Sequence, residues 1–321
     1  MYTNDDLSDA IEKGIFTEAS VVEFRAQFAS SRNTPSVDEE NFRLITGFND
    51  IFVVIASVLL LFSSSWILRS VDHALASLTF PLLAWGLAEY FVRKRKMALP
   101  AIVLLVCFIW GVFALSLQLN QPLSKMSFIV ATAATGIAAY FHWLRFKVPI
   151  TIAAGTAATI GFFVALFLTS FPTLLDWFWV VVFLGGVAAF LFAMYWDASD
   201  RKRITYRSDV AFWLHLLSAP LIIHPVFLSL GILDGSESLG SIVIVIVLYS
   251  LMSFISVVID RRAFMVSSLV YVLYAFSSLL KVYGVVGYSF AATGVFIGIA
   301  LLLMSVFWHK IRSRLVTFLP S

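Results

Sequence analysis

Ten apolar runs, each close to the length that crosses a bilayer as a helix, follow one another along this 321-residue chain. Crossing the hydrocarbon core takes about 20 such residues, because a backbone in lipid must bond to itself. The runs lie at 51–68, 74–92, 98–119, 127–144, 149–170, 174–196, 211–230, 239–259, 264–283 and 287–308. The chain is 60% hydrophobic and 13% charged, with a mean hydropathy of +0.94, whereas soluble domains are about 45–50% apolar and about 25% charged. The expected fold is all-α: a polytopic membrane bundle of ten transmembrane helices, with the lipid bilayer as its first partner.

Loop charge gives an independent test. Numbering the loops alternately from the N-terminal tail puts nineteen basic residues on one side. They include the cluster Arg93 to Lys96, Arg145 with Lys147, Arg201 to Arg203 with Arg207, Arg261 with Arg262, and Lys310, Arg312 and Arg314. The other side holds three: Arg69, Lys125 and Lys281. Translocating Lys and Arg is unfavourable, so the richer side is expected to be cytoplasmic, with both termini there. Miscounting one run would destroy the asymmetry. A pI near 9.0 would suggest nucleic acid for a soluble protein; with basic residues confined to loops it reads as topology, and no nucleic-acid partner is expected.

Three parts follow: a cytoplasmic helical hairpin and juxtamembrane helix (1–48), the ten-helix domain (49–310) and a short cytoplasmic tail (311–321). The first 50 residues hold no apolar core of about 7–15 residues, so no cleaved leader is expected. Residues 4–13 read as a short helix ended by Gly14. Thr17 is placed to cap a second helix running to about Ser31, and Ser36 to Glu39 has capping-box spacing for a third. Leu7, Ile11, Ile15, Val21, Val22, Phe24 and Phe28 can close this hairpin. It is too small for a core of its own, so it needs the membrane face or a cytoplasmic protein partner.

The hairpin, followed by Phe42-Arg43-Leu44 and Gly47-Phe48-Asn49-Asp50, resembles a group of uncharacterised bacterial multi-pass membrane proteins with an N-terminal cytoplasmic hairpin. The stretches 200–225 and 260–274 look similar too. The resemblance implies a bacterial inner membrane and supplies no substrate or site residue.

Ten spans also divide as five plus five, and an odd number per repeat inverts the second half, a common transporter plan. Leu78-Thr79-Phe80-Pro81-Leu82-Leu83 aligns with Leu217-Ser218-Ala219-Pro220-Leu221-Ile222. Such six-residue matches among apolar segments also arise by chance, so the inverted repeat stays a candidate.

Polar residues inside spans carry the functional candidates, since they are costly in lipid and face a cavity or another helix. The seventh span holds His215, Ser218 and His224. Nine residues at about 100° each set the two imidazoles on opposite faces of a regular helix. Each therefore either satisfies a neighbouring span or, if the prolines reshape the helix, joins a shared site. Tyr249, Ser253 and Ser256 form a stripe on the eighth span, and Ser267, Tyr271, Tyr274, Ser278 and Lys281 form one on the ninth. These stripes read either as a hydrated path or as helix packing through hydroxyls and small side chains. Glu89 sits four residues before Arg93, as an ion pair or as a proton carrier. Asp50 and Asp176 fall at span starts, where the helix dipole favours negative charge.

Small residues at 131–139 and 153–161 predict that the fourth and fifth spans sit centrally, and Gly294 with Gly298 has the GxxxG spacing. Cys107, the one cysteine, reads as a buried thiol, and no Cys/His cluster has metal-site spacing, so neither metal nor cofactor is expected. No phosphate loop, GxSxG elbow or HExxH is present, and no catalytic residue is assigned. Two function classes remain: a transporter of a small solute through a path lined by the seventh to ninth spans, and a scaffold or sensor that docks a partner through its hairpin.

Overall fold

The computed structural model describes residues 4–24, 48–200, 205–229, 247, 250–256, 294–295 and 298–299. They contain helix and no strand. Two compact units divide between Glu40 and Asn41.

In the first unit, helix α1 (Asn4–Glu12) stops as its glycine requires. Gly14 has φ +67°, a conformation that costs other residues. That turn lets Gly14 N–H reach the Ile11 carbonyl and Ile15 N–H reach the Ala10 carbonyl, each at 2.9 Å. Thr17 starts the second helix as expected, its Oγ1 accepting from Ser20 N–H at 3.2 Å while Ser20 Oγ accepts from Thr17 N–H at 3.0 Å. Residues 25–47, with the rest of that helix and the expected third one, lie outside the described residues.

In the second unit, seven helical segments are long and apolar enough to cross a membrane. Their α-helical parts are α2 (Phe48–Arg69), α3 (His73–Ala88, in a segment that continues to Lys94), α4 (Ala98–Leu119), α5 (Lys125–Phe146), α6 (Ile150–Ser170), α7 (Phe178–Ser199, in a segment that begins at Pro172) and α8 (Tyr206–Ser229). They match the first seven expected spans. Of the eighth, 247 and 250–256 are helical; of the tenth, 294–295 and 298–299 are; the ninth lies outside the described residues. A multi-pass membrane protein follows from the described helices alone.

Local chemistry explains the ends. Asp72 caps α3 by accepting from Leu75 N–H at 2.7 Å. Ser124 and Ser127 form a reciprocal capping box at the start of α5. Pro81 and Pro220 lie inside unbroken helices, although an inverted repeat of the transporter type would interrupt them. The irregularity comes instead after α3, where Glu89–Lys94 winds as a π-helix. A second departure precedes α7: Pro172–Trp177 is a 3-10 segment, so Asp176 lies exposed before the helix rather than in its first turn.

Sequential helices pack as neighbours, around two apolar clusters. Leu61, Phe80, Ala84, Leu104 and Cys107 build one from α2, α3 and α4. Ala153, Ala193, Val210 and Leu214 build the other from α6, α7 and α8. The α5–α6 pair joins through small residues, a Cβ at Gly155 lying 3.5 Å from Ala139 Cβ. One face of this pair carries exposed side chains, with Ile137, Tyr140 and Phe163 each about 60% exposed. Helix α8 is the most buried of the seven spans. Gly294 and Gly298 are helical, and a Cβ at either would meet no described atom within 4 Å.

Contacts between distant helices define the two ends of the bundle. Arg145 at the end of α5 meets Glu89 after α3, and Trp143 meets Tyr206 at the start of α8, with ring centroids 5.9 Å apart. At the other end, Lys125 Nζ reaches the Leu168 carbonyl of α6 at 3.4 Å. Among the described residues of this unit, the first end carries Arg93, Lys94, Arg95, Lys96, Arg145, Lys147 and Arg207, and the other carries Arg69 and Lys125. The alternation of loop charge is thus a property of the folded bundle over seven helices.

Candidate functional site

The polar groups of the bundle gather toward its charge-rich end. Helix α8 brings the most buried of them. Its first turns sink Ser208, Asp209, Val210 and Ala211 below solvent, and His215, nine residues in, is 0% exposed. At 1.5 Å per residue it sits about 13 Å along the helix. His215 Nε2 lies 2.8 Å from Oδ2 of Asp197, in the last turn of α7. An ionised carboxylate only accepts, so against an ionised Asp197 it is Nε2 that donates. In the neutral ring Nδ1 is then the basic lone pair. Nδ1 has no hydrogen-bond partner among the described residues, and neither has the buried indole N–H of Trp196 beside Asp197. The Phe190 ring packs edge-on against the imidazole at 5.4 Å.

A second buried histidine lies in α5. His142, 1% exposed, has Nδ1 3.2 Å from the Thr151 hydroxyl of α6. Rings of Trp85, Phe108 and Phe146 surround it at 4.6–5.8 Å, and its Nε2 has no partner among the described residues.

The third element is an ion cluster. Glu89 opens the π segment and takes Arg145 in a bidentate grip, Oε1 to Nε at 2.6 Å and Oε2 to Nη2 at 3.0 Å. The pairing with Arg93 that the spacing predicts is present but longer, at 3.4 Å. Glu89 is thus a rim carboxylate held by two guanidinium groups. Exposed pairs contribute little and are screened by salt. Glu89→Gln is therefore expected to lower thermal stability in detergent only slightly, by less at high salt than at low; a salt-independent loss in a melting series would mean that the cluster is buried in lipid.

The remaining candidates divide. Ser218 Oγ donates to the His215 carbonyl of its own helix at 3.0 Å, so its hydroxyl is already engaged. His224 stands apart from His215: it packs on the Trp179 ring at 5.1 Å, at the far end of α7 from Asp197. Both imidazoles pack on α7, where a regular wheel would set them on opposite faces; what separates them is about 13 Å along α8. Ser253 and Ser256 fall in the helical stretch 250–256; Ser256 is buried, and Ser253 Oγ is buried with no partner among the described residues. Tyr249, Ser267, Tyr271, Tyr274, Ser278 and Lys281 lie outside the described residues.

Sequence reasoning missed His142, Asp197 and the Arg145 grip. For Asp197 a signal existed: an acidic residue in the last turn of a helix opposes the dipole and needs another reason to be there. For His142 the signal was an ionisable residue inside an apolar run. Among the described residues, no three of His, Cys, Asp and Glu come close enough to hold a metal ion. No protein-family model, curated protein or solved structure matches this chain. The resemblance to bacterial multi-pass proteins rests on the quoted residues alone.

Proposed function

We propose that this protein is a transporter of a small polar solute in the bacterial inner membrane. Its path runs from the charge-rich end past the Asp197–His215 pair and along the hydroxyl stripes of the eighth and ninth spans. One observation carries the reading: an imidazole wholly buried in a membrane helix, held by a carboxylate from the preceding helix, with its other ring nitrogen buried and unpartnered among the described residues. Buried polar atoms in folded proteins nearly always have partners. His215 Nδ1, Trp196 Nε1 and Ser253 Oγ, all unpartnered among the described residues, have the character of groups that serve water or a polar ligand. Proton-carrying positions in membrane transporters have the same make-up of buried His and Asp.

A second reading has its own observation. On the hairpin, Ile15, Phe16, Val22 and Phe24 are exposed, and apolar surface of this kind marks a docking face. In that reading the protein is a scaffold or sensor with a cytoplasmic partner and a dry bundle.

One experiment separates them. Single cysteines at Ser253 and Ser278, in a Cys107→Ala background reconstituted in vesicles, are expected to react with a small water-soluble thiol reagent. A cysteine at Leu104, buried in the α2–α4 cluster, is expected not to. Failure of both path positions to react, in folded protein, would overturn transport and leave the docking reading.

A further inference from the structure

A large concave feature of the described bundle lies on its outside. Between α5, α6 and α7 lies a laterally open cavity of about 690 Å³. Gly136, Ala139 and Gly155 form its floor, and Trp143, Phe163 and Phe192 stand along its walls. The floor exists because small residues draw α5 and α6 together, leaving a trough against α7. It extends from Thr151 to Val164 along α6, which is about 20 Å at 1.5 Å per residue. That is on the order of one leaflet of a hydrocarbon core about 30 Å thick.

The lining says what fits. Thr156 and Thr159 donate to carbonyls of their own helix at 2.9 and 2.8 Å, and the Thr151 hydroxyl is paired with His142. The wall threonines thus have their hydroxyls engaged, and the rest of the lining is mainly hydrocarbon and aromatic ring. An apolar chain suits it; a hydrated solute does not.

The mouth differs in chemistry. Trp143 lies at the charge-rich end, with Lys147 Nζ 5.2 Å from its ring centroid. Lys147 closes α5 in the left-handed conformation, φ 54° and ψ 33°. It is exposed, and its ammonium has no carboxylate partner among the described residues, whereas Arg145 two positions away is held by Glu89. Tyr206 also packs against Trp143, and the exposed Arg207 follows it. An aromatic pair with an uncompensated cation at the end of an apolar trough matches the interfacial zone, where anionic headgroups are drawn to basic residues.

We propose that this groove is a binding site for an anionic phospholipid. One acyl chain lies over Gly136, Ala139 and Gly155, and the phosphate sits at Lys147 beside Trp143. The groove lining includes neither Asp197 nor His215, so the site does not rest on that pair.

The test uses the purified full-length protein in detergent, with phosphatidylglycerol or phosphatidylcholine added and bound lipid counted by native mass spectrometry. Phosphatidylglycerol is expected to be retained in preference. Removing one surface cation is worth about 1 kcal/mol toward an anionic lipid, so Lys147→Gln should cut that preference by about fivefold. Thr159→Phe fills the trough from an exposed position, so the fold is expected to survive while retention of both lipids falls. Equal retention of the two lipids by the unmodified protein, or retention untouched by Thr159→Phe, would overturn the site. So would inorganic phosphate displacing the lipid completely at millimolar concentration, which would reduce the mouth to a plain anion site.

Discussion

Gly186→Ala is expected to destabilise this protein more than any other single methyl group added to a glycine at the α7–α8 or α5–α6 contacts. A Cβ there would lie 2.8 Å from both the carbonyl carbon and the Cβ of Leu221, and 3.0 Å from Ile222 Cγ1. Two of these atoms cannot swing away: the Leu221 carbonyl is helix backbone, and its Cβ is fixed to that backbone. Helix α8 would have to move off α7, and with it His215 off Asp197. Overpacking of this kind costs about 1–3 kcal/mol. Gly136 is the internal control. Its Cβ would meet Ala158 at an ordinary 3.9 Å, so Gly136→Ala should be neutral or gain up to about 1 kcal/mol from helix propensity. Unfolding of both variants in denaturing detergent checks the contrast; equal stabilities would mean that α7 and α8 do not approach as described.

The second large effect is at the buried pair. His215→Leu keeps an apolar shape but takes the 2.8 Å donor from the Asp197 carboxylate. Leaving a buried acceptor short of a partner costs about 1–3 kcal/mol, more for a charged one. Asp197 retains 16% of its side-chain exposure and has further contacts, so the lower half of that range is expected. Asp197→Asn should cost less, since its amide oxygen can still accept from Nε2. The Asp197→Ala, His215→Leu double variant should be more stable than the sum of the single losses implies, by about 0.5–3 kcal/mol of coupling. A coupling indistinguishable from zero would make the contact incidental and remove the charge-rich end of the proposed path.

These two sites mark where sequence reasoning stops. Run length delivered the seven described spans, because a lipid-crossing helix needs a fixed number of apolar residues whatever it packs against. Gly14 and Thr17 were equally legible, since a left-handed turn and an N-cap are chemistry of one or two residues. Spacing on one helix read correctly for Glu89, which does meet Arg93, whereas His215 and His224, set on opposite faces by a regular wheel, both pack on α7 at different levels. Partners across helices were not legible. Glu89 is gripped by Arg145, 56 positions away, and His215 by Asp197, 18 positions away, at distances that only the packing of α3 on α5 and α7 on α8 sets. The π segment at Glu89–Lys94 rests on a shift of one residue in hydrogen bonding, which no composition encodes. The groove was hidden for the same reason. Small residues at 131–139 and 153–161 foretold a close pair of helices, but not that the pair's outer face would lie open beside α7.

The solute path and the lipid headgroup site both depend on which end of the bundle faces the cytoplasm. Impermeant thiol labelling of single-cysteine variants in intact cells, with Cys107 replaced, measures that directly. Cysteines at Lys125 and Thr173, and at Gly235 and Val285 if the chain crosses ten times, are expected to label from outside. Cysteines at Lys94 and Lys147 are expected to label only after the cells are opened. Labelling of Lys94 or Lys147 in intact cells would put the charge-rich end outside and contradict the account.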